Sequence, residues 1–272
     1  MGRWMLRGVA AAALAACSLI DLSVLQSKPP DAGMEAETDA AAIDAASDGP
    51  MTWCSSVDAQ LCEDFDRVPF LDAGWGLNVS DGGNVADWPF TYVTPPRAVR
   101  ADLRALPDAA PMLRTALLDK LLDFSKGRRA IVEWDAFFDT DPFTSAGGLI
   151  YYAYAVQNGA SSVGLAQTES GWFVLGLAPG ASYPLAQPLP MRQWVRLRFD
   201  VIFEATPIGK ILLELVGDGG NTTLVSKTGI VTTMETSSQT VLVGFGVINS
   251  VMSPSDMPRA TVIVDDVVVW TP

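Results

Sequence analysis

The sequence predicts an all-β protein, a two-sheet antiparallel jelly-roll sandwich with one short helix near 109–124. Three observations carry this prediction. From Met51 onward apolar and polar residues alternate with a period of two, Gly, Asp, Asn and Pro clusters interrupt that alternation at short intervals, and 49% hydrophobic against 18% charged residues supplies a large core. A chain of 272 residues is long enough for one such sandwich. No internal repeat is visible, which argues against a propeller or a solenoid.

The elements follow in order. Weak alternating runs near Phe65, Trp75, Phe90 and Val99 open the domain. The segment Ala109 to Phe124 places Met112, Leu113, Ala116, Leu117, Lys120 and Leu121 near helical spacing and is read as the helix. Arg129 to Phe138 sets Val132, Trp134, Ala136 and Phe138 against Ile131, Glu133, Asp135 and Phe137, a half-buried strand with both carboxylates opposite Trp134. Gly148 to Gln157 is a further strand, and Ser162 to Gln167 with Gly171 to Leu177 form a hairpin around Thr168-Glu169-Ser170. Trp194 to Phe203 has the cleanest alternation, Val195, Leu197, Phe199, Val201 and Phe203 facing in and Arg196, Arg198 and Asp200 facing out. Lys210 to Val216 and Thr222 to Lys227 flank a Gly-Asp-Gly-Gly-Asn turn, and Thr240 to Ile248 and Ala260 to Trp270 close the chain.

The first fifty residues have a different character. Met1 to Ala16 carries Arg3 and Arg7 ahead of a short small-apolar run, the form of an export signal and too short to span a bilayer. It ends in Leu14-Ala15-Ala16-Cys17, which resembles the lipobox of bacterial lipoproteins. That resemblance implies lipidation of Cys17, an N-terminal lipid as the contact with the membrane, and a place in the bacterial cell envelope, at the outer membrane or cell surface. The expected organisation is a signal peptide over residues 1–16, a lipidated N-terminus and disordered acidic linker over 17–50, and a β-sandwich domain over 51–272. Ser27 to Pro50 has no aromatic residue and one Lys among six acids, so self-repulsion and lack of a core leave it disordered. The linker contributes −5 and Met1 to Gln26 +1 to the net charge of −13, which leaves −9 on Met51 to Pro272.

Composition also excludes chemistry. With no histidine there is no Ser-His-Asp or Cys-His relay and no imidazole metal site, which confines catalysis to carboxylates, Lys, Tyr or an oxygen-held metal. An acidic chain is repelled by phosphate backbones, so nucleic acid is not an expected partner. Setting Cys17 aside, Cys54 and Cys62 are an even pair in an exported chain and are expected to be bonded, the alternative being two free thiols.

Cys62-Glu63-Asp64-Phe65-Asp66, the central Arg192-Gln193-Trp194-Val195-Arg196-Leu197 followed by the Asp-Gly-Gly hairpin, and the closing Val264-Asp265-Asp266-Val267-Val268-Val269 resemble concanavalin A-like jelly rolls, a group that includes laminin-G-like modules and laminarinase-like β-glucanases. The resemblance implies adjacent first and last strands, a concave face that often binds carbohydrate, and in some members a structural calcium. Here Asp265 with Glu63 or Asp66 would supply that ion's ligands; the other reading is a charged strand end, paired with Arg259 or solvated.

Laminarinase-like enzymes carry Glu-X-Asp-X-Glu, or one extra residue before the last Glu, along one strand. Glu133 and Asp135 match its first two acids, but Phe137 and Phe138 occupy both places open to the third. The histidine or glutamine motifs of alginate-lyase-like sandwiches are missing as well. For sugar contact the candidates are Tyr152, Tyr154 and Trp172, rings that would serve equally as core or cross-strand pairs. The expected function is therefore carbohydrate or glycoprotein binding by a surface-anchored lipoprotein without catalysis. The alternatives are a divergent glycoside hydrolase using Glu133 and Asp135, and a structural envelope protein.

Overall fold

The computed structural model describes residues 54, 57–65, 74–80, 82–93, 97–105, 113–123, 128–143, 148–157, 161–176, 181–232, 240–251 and 258–272. Cys17, Asp66, the signal and the linker lie outside them. The described residues build fifteen strands: β1 (Leu61–Glu63), β2 (Gly76–Val79), β3 (Gly83–Trp88), β4 (Ala98–Leu103), β5 (Leu113–Asp123), β6 (Arg129–Thr140), β7 (Gly148–Gln157), β8 (Ser161–Thr168), β9 (Gly171–Leu175), β10 (Ser182–Pro184), β11 (Trp194–Ile202), β12 (Gly209–Val216), β13 (Thr222–Ile230), β14 (Thr240–Val251) and β15 (Ala260–Trp270). They form two sheets, one in the order β13-β12-β11-β6-β15-β4-β3 with β1 added beside β15, the other in the order β10-β9-β8-β7-β14-β5-β2. The fold is the expected jelly-roll sandwich.

The inner faces of the two sheets make one core. Trp134, Phe138, Phe199, Phe203 and Phe245, all inward by alternation, are buried there. Phe245 bridges Trp75 and Trp134, with ring centroids 6.1 and 5.6 Å away. First and last strands lie side by side, with Leu61, Cys62 and Glu63 opposite Val269, Val268 and Val267. Strand β15 does not alternate, because both its faces are covered: Val264, Val267 and Val269 point into the core, while Asp265 and Val268 on the other side are also fully buried.

The helix expected near 109–124 is not formed. Its described part, Leu113–Asp123, is β5, paired along its whole length with β14 from Asp123 opposite Thr240 to Leu113 opposite Ser250. The local pattern suits both periods: Leu113, Leu117 and Leu121 fall four apart, while Ala116, Leu118 and Leu122 fall on alternate positions and enter the core. Pairing decides between them. As a helix this segment would leave one edge of β14, in the middle of a sheet, without hydrogen-bond partners, and a tertiary demand of that size overrides a weak local propensity.

The hairpin β8–β9 turns at Glu169 and Ser170, and β12–β13 turns through 217–221 as expected. Cys54 and Cys62 form a disulfide. It fastens the entering chain to the last strand, where the Gln60 amide donates to the Val269 carbonyl at 3.0 Å and Trp270 Nε1 donates to the Asp58 carbonyl at 3.1 Å.

Candidate functional site

Residues of the larger sheet that point away from the core form a face of charges and rings. Cross-strand partners share a face, so the register of β6 against β11 sets Glu133 beside Arg198, Asp135 beside Arg196 and Phe137 beside Trp194. Arg196 Nη1 lies 3.0 Å from Asp135 Oδ2 and its Nε 3.6 Å from Glu133 Oε2, while Arg198 Nη1 lies 3.3 Å from Glu133 Oε1. The Phe137 and Trp194 rings meet edge to face at 5.8 Å, both half-buried. At one end of the face Asp200 accepts two bonds from Arg129 at 2.8 and 2.9 Å and one from Lys210 Nζ at 2.6 Å. At the other, Asp139 accepts from Arg192 at 2.7 Å and Arg259 at 3.0 Å.

On the other flank of β6, a bulge in β15 between Asp265 and Val268 sets Asp265 directly opposite Asp135. Asp266, the extra residue, takes φ 46°. Its amide donates to Asp265 Oδ1 at 3.0 Å, and the Val93 amide donates to Asp265 Oδ2 at 2.8 Å. Segment 89–93 therefore folds back over the outer side of β4 to reach β15.

The Asp135 carboxyl is pushed up to about 7, chiefly by burial; Arg196 pulls it down, and the charges of Asp266 and Glu133 push it further up. Burial also works to raise Asp139, but hydrogen bonds from Arg192 and Arg259 and their charges outweigh it and hold that carboxyl below the usual range. A carboxyl that titrates near neutrality can hold or release a proton at physiological pH. In the laminarinase-like motif the carboxyl that works with Glu133 across the scissile bond would stand at position 137 or 138. The next outward position on β6 is Phe137, packed on Trp194, and Phe138 lies in the core.

The other expected site residues separate. Tyr152 and Trp172 are core residues: they pack 5.1 Å apart and both contact Phe138, at 5.1 and 5.0 Å. The Tyr152 hydroxyl donates to Gln167 Oε1 at 2.9 Å and hydrogen-bonds Thr140 Oγ1, and burial drives its pKa far up. Tyr154 does not share its face. A bulge between Tyr151 and Ala153 in the β7–β8 pair turns Tyr154 onto the outer side of the smaller sheet, where it packs with Leu117, Leu149 and Tyr151. The ring lies on Gly244 of the next strand, where a Cβ would stand 2.2 Å from Tyr154 Cζ.

The carboxylates suggested for calcium are not gathered. Glu63 points to the core side, level with Val267, and accepts from the Phe65 amide at 3.2 Å and Trp75 Nε1 at 3.5 Å. Asp265 points to the opposite side, and among the described residues no group of three or more acids and cysteines could hold a metal ion. Asp66, the other carboxylate suggested for that ion, lies outside the described residues.

Four ring residues on the larger sheet's outer side were not singled out from sequence: Phe137, Trp194, Trp88 and Phe90. Alternation already put Phe137 outward with Glu133 and Asp135. Trp194 precedes an inward Val195 and is outward for the same reason.

No protein-family model matches the chain, and no curated protein matches it in sequence. Solved structures do match in fold. An endo-β-1,4-glucuronan lyase from the fungus Trichoderma reesei superposes with a TM-score of 0.59 at 11% identity, covering 79% of this chain and 96% of the lyase. The cellulose-induced protein Cip1 superposes with a TM-score of 0.52 at 12% identity, covering 78% of this chain and 97% of Cip1. These likenesses show a shared sandwich fold.

Proposed function

We propose that this protein is a lipid-anchored envelope protein whose sandwich binds polysaccharide on the outer face of the larger sheet and does not cleave it. The observation that carries the reading is the row formed by β6 and β11. Phe137 stands at the place of a third acid and, with Trp194, offers half-buried rings beside the Arg196–Asp135 pair. Rings stack on the apolar faces of sugars, and fixed ion-paired groups beside them hydrogen-bond to hydroxyls. That a glucuronan lyase and a cellulose-induced protein share the fold supports the same class of ligand. Glu133 and Asp135 act here as anchors of Arg196 and Arg198 rather than as nucleophile and acid.

The anchor belongs to the same proposal. Lipidation at Cys17, the tether over 17–50 and the acidic sandwich place a binding face away from the membrane, with nucleic acid repelled. Glycan-array binding by the full chain in detergent tests the reading. Retention of a polysaccharide that falls at least tenfold in Trp194→Ala, with the Tyr152→Phe variant unchanged, is the expected result. No retention on any glycan overturns it.

A further inference from the structure

Resting on that reading, the register of five strands identifies a second end to the face. Ala86, Arg100, Ile263, Phe137 and Trp194 are successive cross-strand partners from β3 through β4, β15 and β6 to β11. The middle of this row is closed to a ligand, because Ile263 is buried along with Asp265 and Asp266 of the same strand, and rings stand on either side of it. At the β11 end stand Phe137 and Trp194. On the β3 side stand Trp88, the last residue of β3, and Phe90 and Tyr92 in the segment that folds back from it, three rings within five residues.

This second group is built and yet open. Phe90 is 77% exposed and Tyr92 39%. Phe90 is not loose, because its ring meets Trp88 edge to face at 5.0 Å. Trp88 in turn carries the Arg100 guanidinium 4.3 Å from its ring centroid. Segment 89–93 is fixed to β15 by the bond from the Val93 amide to Asp265. Rings held ready at the surface lose little freedom when a ligand stacks on them.

Charge selects the ligand class. The cations nearest these rings are paired: Arg100 lies 2.9 Å from Asp102 and Arg97 3.7 Å from Asp87. At the other end Arg196 and Arg198 are held by Asp135 and Glu133. A polyanion would meet arginines already neutralised beside either ring group, whereas an uncharged chain needs only the rings and the hydrogen-bonding groups next to them. We infer that Phe90 and Tyr92 form a second sugar-stacking site, which takes an uncharged polysaccharide apart from Phe137 and Trp194.

Affinity electrophoresis of the full chain in detergent, through gels containing hydroxyethyl cellulose, laminarin or polygalacturonate, tests this. The expected pattern is retardation by an uncharged glucan, at least tenfold weaker in Phe90→Ala/Tyr92→Ala, with no retardation by polygalacturonate. Both changes are at exposed positions, and an unchanged circular dichroism melt shows that the fold persists. Undiminished retardation of the double variant, or preference for polygalacturonate, overturns the inference while the binding function stands. An unmodified chain that no glycan retards overturns both.

Discussion

Asp265 of β15 stands directly opposite Asp135 of β6, two buried carboxylates pointing to the same side of the sheet. Asp265 is held by two backbone amides, those of Val93 and Asp266. Asp135 faces Arg196 at 3.0 Å and titrates near 7. One acid thus fixes a loop while its neighbour responds to pH.

The pH dependence has a definite sign. The folded Asp135 pKa, about 7, exceeds its unfolded value of 3.8, so between these values the folded state binds more protons and stability falls as pH rises. A shift of about three units corresponds to roughly 4 kcal/mol as an upper bound. Asp139 and Asp200 are depressed instead; what they contribute is present above about pH 4 and is lost only as pH falls through their folded pKa values. Urea unfolding at pH 5, 6 and 8 should therefore show stability declining toward pH 8, with a flatter profile in Asp135→Asn. A profile as steep in the variant as in the native chain refutes the assignment to Asp135.

Tyr152 and Trp172 are structural. Trp172→Ala should cost about 3–5 kcal/mol through the cavity it leaves. Tyr152→Phe should cost about 1–2 kcal/mol by removing the hydroxyl that joins Thr140 to Gln167. Thermal and urea unfolding measure both. Polysaccharide affinity should not change in Tyr152→Phe, since the ring lies between the sheets.

On the smaller sheet, Gly244→Ala should destabilise the fold by about 1–3 kcal/mol, because the new methyl collides with the Tyr154 ring. The double variant Gly244→Ala/Tyr154→Ala should recover part of that loss. A double-mutant cycle reads the coupling, and strict additivity would show that Tyr154 does not lie on Gly244.

Reduction of the Cys54–Cys62 bond, or Cys54→Ser/Cys62→Ser, should cost about 2.5 kcal/mol from the closed loop of about nine residues. The Trp270 environment should report it first, because Trp270 Nε1 binds the Asp58 carbonyl inside that loop. Tryptophan fluorescence during denaturation with and without reductant checks both the size and the place of the effect.

Much of this architecture is legible from alternation alone. It marked the inward set of β11, from Val195 to Val201, with Phe203 just beyond it, and the outward set Glu133, Asp135 and Phe137 of β6. It failed where the chain departs from simple alternation. The bulge in β7 moved Tyr154 to the face opposite Tyr152, and the bulge in β15 left Asp265 facing Asp135, on the opposite side of the sheet from Glu63. Bulges add one residue and invert every side chain beyond them, and no local composition marked either one. The β5 segment failed for another reason, since its leucines satisfy two periods and only the partner strand β14 chooses between them. The rings of the face escaped notice because Tyr152 and Trp172 are equally aromatic, and only the burial of those two separates ligand contact from core.

The face shared by Asp135, Arg196, Phe137 and Trp194 is proposed to bind polysaccharide without cleaving it. The most direct test of this central claim is the release of new chain ends, reducing or unsaturated, from the polysaccharide that the chain retains, measured over hours at pH 6 to 8. The expected result is retention with no new ends above the protein-free control. New ends that accumulate with the native chain and vanish in Asp135→Asn or Glu133→Gln would contradict the account and make the same face an active site.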